Sequence, residues 1–262
     1  MKLSVSNIAW GAEQDGAMYA RLARQGYQGL EAAPTRLFPE RPYDRLEEAA
    51  ALAGRLWEEH GLTVPSLQSI WYGRSENLFA GEGERAALLD YTRRAIDFAA
   101  ALSCPNLVFG CPRNRAMNGR GDRETAVRFF RALGDYAAAR GAVVAMEANP
   151  PIYHTDFVNT TAEAFALADR VSSPGFLVNL DVGTMLENRE RVDGLAGRVP
   201  LIHHVHLSTP GLGPVVPHPL HGELAALLRE EGYGGFVSIE MGSACGPEAL
   251  YDAMDYVKEL FA

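Results

Sequence analysis

Two hydrophobic rhythms alternate eight times along this chain. Short apolar runs rich in β-formers occupy 3–8, 29–33, 63–69, 106–110, 143–148, 176–181, 201–208 and 236–241. Longer runs with helical spacing of apolar residues lie at 15–25, 44–60, 84–102, 122–140, 161–171, 187–196, 219–231 and 247–261. Such alternation predicts βαβ units and a parallel sheet. Eight units predict an α/β fold closed as a (β/α)8 TIM barrel, a single domain over 1–262, which matches the roughly 250 residues such barrels use. An open doubly wound sheet is the alternative, but no glycine-rich dinucleotide loop follows the first strand. Gly26, Gly61, Gly141 and Gly232 stand just before strands, where glycine closes a helix C-terminus. Asp122 and Thr161 are the expected N-caps.

Four of the strand runs end on side chains that bind metals. VVAMEA carries Glu147, FLVNLD ends on Asp181, IHHVHLS carries His206, and FVSIEM carries Glu240. Strand side chains alternate between faces. Val144 and Met146 oppose Glu147, Val178 and Leu180 oppose Asp181, Val205 and Leu207 oppose His206, and Val237 and Ile239 oppose Glu240. In all four, the apolar set is expected outward on the helices and the polar residue inward. The same parity sends Glu31, Gln68 and His204 inward and His203 toward the helix layer. A barrel gathers strand ends at its carboxyl face, so residues far apart in sequence meet there. Three carboxylates around one point repel each other and are costly to bury without a cation. Three carboxylates and one imidazole suit Mn²⁺, Mg²⁺ or Co²⁺, with Zn²⁺ also able to bind.

Composition narrows the classes. A formal charge of −9 argues against binding nucleic acid through a basic face. Three cysteines without a CxxC predict no disulfide framework and a reducing, cytoplasmic setting. The first ten residues, MKLSVSNIAW, read as a strand and not as a signal peptide. No apolar run reaches the ~18 residues a membrane span needs. The only lysines are Lys2 and Lys258, both away from the carboxyl face, which excludes a Schiff-base aldolase.

The chain resembles the xylose-isomerase-like TIM barrels, the sugar phosphate isomerase/epimerase superfamily. GLEAAP, LVFGCPRNR, MEANP, NLDVGTM, HHVHLS and GYGGFVSIEM carry the resemblance from end to end. It implies that Glu147, Asp181, His206 and Glu240 bind one divalent cation, with Glu147 and Glu240 doubling as an acid/base pair on opposite faces of a bound sugar. It implies a small carbohydrate substrate. Dimers and tetramers are common in the superfamily, so a homo-oligomer is also implied. Its ketose 3-epimerases carry a glutamate where this chain has Tyr153, a histidine where it has Thr184 and an arginine where it has Leu212. The metal set is therefore retained while that substrate shell is not.

The expected activity is isomerisation or epimerisation of a keto-sugar, sugar phosphate or related polyol through an enediolate. A dehydratase of a cyclic keto-polyol would use the same intermediate. An endonuclease IV-like phosphodiesterase would need more histidine ligands, and a non-catalytic sugar-binding barrel would not need the full ligand set. His204, His154, Glu31, Gln68, Trp10 and Arg113 are candidates for substrate contact, with Trp71 beside them. Arg113 and Arg115 together form a candidate anion clamp, since guanidinium forks match phosphate or carboxylate. His218 and His221 are expected near a helix start. The stretch MGSACG at 241–246 offers backbone N–H groups that a phosphate could use.

Overall fold

The structure, a computed structural model, describes residues 1–262. Its strands are β1 (Lys2–Ser6), β2 (Gly29–Glu31), β3 (Asn106–Phe109), β4 (Val143–Glu147), β5 (Phe176–Asp181), β6 (Ile202–Ser208) and β7 (Phe236–Glu240). The helices are α1 (Asp15–Gln25), α2 (Pro34–Leu37), α3 (Leu46–His60), α4 (Glu82–Ala101), α5 (Arg123–Ala138), α6 (Thr161–Val171), α7 (Val182–Asn188), α8 (Pro219–Glu230) and α9 (Pro247–Phe261). All paired strands are parallel, in the order β2-β1-β7-β6-β5-β4-β3.

The run at 63–69, expected as a strand, is extended chain that touches its neighbours only at single bridges. Thr63 bridges Gly29, and Leu67 bridges both Ala32 and Leu107. The amide of Leu67 donates to the Asn106 carbonyl at 2.9 Å, and the amide of Val108 donates to the Leu67 carbonyl at 2.7 Å. Pro65 lies between the bridges and has no N–H to give a ladder. The segment still fills the gap between β2 and β3 and so closes the barrel.

Capping explains most helix boundaries. Asp122 accepts the amide of Thr125 at 2.7 Å and starts α5. The cap of α6 is Thr160, one residue before the expected Thr161, because Thr160 and Glu163 form a reciprocal capping box. Gly26 and Gly61 end their helices at φ of 79° and 66°, a conformation that glycine adopts without a Cβ penalty.

The helix expected over 187–196 is displaced. α7 begins at Val182 and is followed by a 3-10 turn at Val192–Leu195. Asp181 is the reason: its carboxylate accepts the Thr184 amide at 2.7 Å, so the helix starts where β5 stops. No helix is long and apolar enough to cross a membrane.

The outward faces of the strands supply the core. Val5, Leu30, Leu107, Val144, Val178, Val205 and Val237 are all fully buried, as are Leu22, Phe130, Leu224 and Val257 on the surrounding helices. The barrel interior differs from the bulky branched layers usual for such folds. It is lined by Ser4, Ser6, Glu31, Ser66, Gln68, Asn106, Asn179, His204, His206 and Ser238, all buried. Hydrogen bonds satisfy much of this layer: Gln68 donates to Ser6 at 2.9 Å and Asn106 to Ser66 at 3.0 Å. His203 joins it, against the parity expectation. The pairing of β5 with β6 runs Val178 to Ile202 and then Asn179 to His204, so His203 is the extra residue of a bulge. Its Nδ1 lies 2.8 Å from Asn106 Oδ1 across the barrel.

Candidate metal centre

Register delivers the four strand-end residues to one place. Asp181 pairs with His206, Asn179 with Glu147, and Ser208 with Glu240. Ligand-type atoms of Glu147, Asp181 and His206 all lie within 4.8 Å of one another. His206 Nδ1 is 3.0 Å from Glu147 Oε2 and 3.3 Å from Glu240 Oε2. Yet Nδ1 is buried and makes no hydrogen bond of good geometry. An orphaned buried nitrogen facing three carboxylates fits a cation, which accepts lone pairs from all four at once.

Three of the four, Glu147, Asp181 and His206, are held from behind. Asn149 donates to Glu147 Oε1 at 2.9 Å and Asn179 to Oε2 at 2.8 Å. Ser208 donates to Asp181 Oδ2 at 2.8 Å, and the Gly183 amide donates to Ser208 at 2.9 Å. Glu31 Oε1 meets His206 Nε2 at 2.8 Å, and Ser238 donates to Glu31 Oε2 at 2.7 Å. Two glycines make room for the cluster. A Cβ on Gly110 would sit 2.8 Å from Glu147 Oε1, and one on Gly183 would sit 2.7 Å from Ser208 Oγ.

The electrostatics record crowded anions. Burial, then Glu147 and Glu240, pushes the Asp181 carboxyl up to about 7. Burial also raises that of Glu240. Burial opposes a charged His206, but Glu31 and Glu240 outweigh it and hold the imidazole well above its usual range. Burial alone would raise the Glu31 carboxyl, but His206 and His204 keep it well below the usual carboxylate range. In the absence of a cation, a proton on His206 offsets the negative charge. A divalent ion offsets it better, and its binding should release protons.

A cleft of about 180 Å³ opens over the cluster, lined by Glu147, Asp181, Glu240, Asn149 and Ser208 on the deep side. Tyr153, Thr184 and Leu212 line it too, together with Pro112 and Thr209. The Gly211 amide donates to the Tyr153 hydroxyl at 2.9 Å, joining the loops after β4 and β6 across the mouth.

The other candidates fall elsewhere. His204 is buried, with Nε2 3.5 Å from Glu31, and does not line the cleft. Gln68 is spent on Ser6, and Trp10 donates its indole N–H to Asp15 at 2.8 Å. Trp71 donates to Thr92 at 2.8 Å. His154 is exposed at φ 61°, while its neighbour Tyr153 faces the cleft. Arg113 is exposed and outside the cleft wall.

The two arginines form no clamp, because Arg115 is fully buried and its fork is consumed internally. It donates to the carbonyls of Gly110 at 2.7 Å and Glu147 at 2.9 Å, to the Phe157 and Val158 carbonyls, and to Asn149 Oδ1 at 2.6 Å. In MGSACG, the Gly242 amide is taken by the Leu212 carbonyl, and the amides of Cys245 and Gly246 by the Gly242 and Ser243 carbonyls. His218 caps α8 through Nδ1, which accepts the Leu220 amide at 3.2 Å. His221 is buried against the Tyr256 hydroxyl at 3.1 Å.

Asn149, Asn179 and Ser208 escaped the sequence reading. A signal was present for two of them: Asn179 precedes Asp181 by two and Ser208 follows His206 by two, so both share the inward parity.

A parallel barrel with a cluster of hard ligands at its carboxyl mouth defines the class. The chain belongs to the xylose isomerase-like TIM barrel family, whose profile matches residues 19–260. No curated protein matches it by sequence. Its fold is similar to that of D-psicose 3-epimerase, with a TM-score of 0.78, 18% identity and coverage of 100% of this chain and 99% of that one. The 3-keto-D-glucoside 4-epimerase of E. coli is similar at a TM-score of 0.77 and 21% identity, covering 99% and 98%. A probable 3-DHS dehydratase from Bacillus anthracis is similar at 0.71 and 17%, covering 98% and 99%.

Proposed function

We propose that this chain is a divalent-metal-dependent isomerase or epimerase of a small keto-sugar or related polyol. The observation that carries the reading is His206 Nδ1, buried without a hydrogen bond and facing Glu147 and Glu240 at 3.0 and 3.3 Å beneath an open cleft. Glu147, Asp181, His206 and Glu240 would hold the ion, with Mn²⁺, Mg²⁺ or Co²⁺ favoured by the oxygen-rich set. The bound ion would supply Lewis-acid polarisation of the substrate carbonyl and neutralise developing enediolate charge.

The acid/base work falls to Glu147 and Glu240, both of which line the cleft. One takes the proton from the carbon next to the carbonyl and the other returns it. Return on the opposite face inverts that carbon and is epimerisation. Return by the same carboxylate that took the proton, to the neighbouring carbon on the same face, would instead be isomerisation. Asn149 and Asn179 fix both oxygens of Glu147 and so orient its remaining lone pairs.

The cleft favours an uncharged substrate over a sugar phosphate, because no lysine or arginine lines it. Its volume lies below the ~300–1,000 Å³ of sites for drug-sized ligands, which suits a monosaccharide-sized molecule. Structural similarity to two sugar epimerases accords with this class of chemistry.

The test is incubation of Mn²⁺-loaded protein in D₂O with a panel of ketoses, aldoses, their phosphates and keto-polyols, read by NMR and mass. Deuterium is expected at a carbon next to the carbonyl of an uncharged substrate, and chelation should abolish it. A product lighter by one water would replace the isomerase with a dehydratase. No uptake across the panel with metal bound would remove the enediolate reading. Glu240→Gln should still bind Mn²⁺, more weakly, and lose exchange. Near-wild-type exchange in that variant would take Glu240 out of proton transfer.

A further inference from the structure

Glu31 comes from the far side of the barrel and touches the candidate centre only through a histidine. It ends β2, is fully buried, and lies 175 residues from His206 in the chain. Its two oxygens are engaged by different strands, Oε1 by His206 Nε2 at 2.8 Å on β6 and Oε2 by the Ser238 hydroxyl at 2.7 Å on β7. It does not line the cleft, so it has no direct access to a substrate there.

A neutral imidazole carries one proton and one lone pair. A ring nitrogen that binds a cation must present the lone pair, so the proton belongs on the other nitrogen. In His206 the nitrogen facing the carboxylate cluster is Nδ1. The proton then sits on Nε2, where Glu31 accepts it. His204 packs edge-to-face on the same ring, with centroids 5.4 Å apart and planes at 86°, and limits its rotation.

We propose that Glu31 is a positioning residue for metal binding: it fixes the ring and tautomer of His206 so that the Nδ1 lone pair points at the ion. The inference rests on the metal-centre reading above. Ser238 locks Glu31 in turn, so the relay runs from Ser238 to Glu31 to His206 to the ion. Carboxylates placed behind ligating histidines in this way raise ligand basicity and set ring orientation, and their loss typically weakens metal affinity roughly 10–100-fold.

One rival uses the same atoms. Glu31, His204 and His206 also offer ligand-type atoms within 4.8 Å of one another, so they could hold a second cation. The 2.8 Å contact between Glu31 and His206 favours a shared proton there instead.

The experiment is calorimetric titration of chelator-treated protein with Mn²⁺ alone, on the wild type, Glu31→Gln and Glu31→Ala. The wild type should bind one ion. Glu31→Ala should bind roughly 10–100-fold more weakly. Glu31→Gln, which keeps the shape and a hydrogen-bonding oxygen but loses the charge, should fall between the two, and it guards against misfolding of the alanine variant. Nitrogen-15 NMR of the Zn²⁺-loaded wild type should show His206 bound through Nδ1 and protonated at Nε2, with a smaller bound fraction at the same Zn²⁺ concentration in both variants.

Unchanged Mn²⁺ affinity in folded Glu31→Gln and Glu31→Ala, even with a lowered Tm, would make Glu31 a structural residue only and overturn the proposal. Two ions in the wild type and one in Glu31→Ala would make it a ligand instead, which also overturns it. A wild type that binds no Mn²⁺ would bring down the metal-centre reading itself.

Discussion

Asp181 ends a strand, starts a helix and faces the candidate metal site. Its carboxylate accepts the Thr184 amide, while Ser208 donates to both of its oxygens. Substitution can separate these roles. Its carboxyl is pushed from 3.8 up to about 7 by burial, then by Glu147 and Glu240. A raised folded-state value means that Asp181 stabilises metal-free protein most while it keeps its proton, below about pH 4. That contribution is lost as the pH rises through about 7. Asp181→Asn keeps a capping side chain and removes the charge. At pH 8 in chelator it should be more stable than the wild type by on the order of a few kcal/mol, with that gap closing toward pH 4. It should also lose Mn²⁺ binding. Asp181→Ala should give back about 1 kcal/mol of the gain through the missing cap. Urea unfolding at both pH values checks this, and parallel pH profiles for wild type and Asp181→Asn would refute it. At this scale the alternation of side chains was informative, because parity in a strand is fixed by the backbone. His203 broke the rule because a bulge is a local register event that alternation alone does not announce.

The elements are joined at the mouth by a buried arginine. Arg115 follows β3 and binds the Gly110 carbonyl just past β3, the carbonyl that ends β4, and two more in the loop before α6. Removing it would strand those carbonyls in a buried site, each at a cost of about 1–3 kcal/mol before relaxation. Arg115→Ala should therefore lose about 3–5 kcal/mol in denaturant unfolding. Arg115→Lys should recover little, since one ammonium cannot copy a planar fork. Full recovery by lysine would show that charge, and not geometry, is what matters there. Sequence reading offered this arginine only as half of a candidate anion clamp or as a surface ion pair, because an RxR pair beside a strand end looks the same whether its forks face out or in. Helix boundaries fared better where a cap was encoded, as at Asp122 and at α9, which begins with Pro247. The helix after β5 was displaced because the capping residue was already counted as the end of a strand.

The whole molecule concentrates negative charge at one end of a polar interior, and a cation should stabilise it. Mn²⁺ at 100 times its Kd would add about 2.7 kcal/mol. For a chain of this size that corresponds to a rise of roughly 5–10 °C in Tm. Thermal scans in chelator and in Mn²⁺ test this, and superimposed curves would speak against a bound ion. The sequence by itself determined the eightfold alternation, the parallel barrel and the inward parity of Glu147, Asp181, His206 and Glu240. These follow from periodicity, which is local and is written along the chain. Tertiary structure alone decided that Glu31 backs His206, that Asn149 and Asn179 clamp Glu147, and that Arg115 is internal. Those contacts span 32 to 175 residues or depend on which way a loop turns. They are fixed by the stagger of closed strands, and no spacing along the chain carries that information.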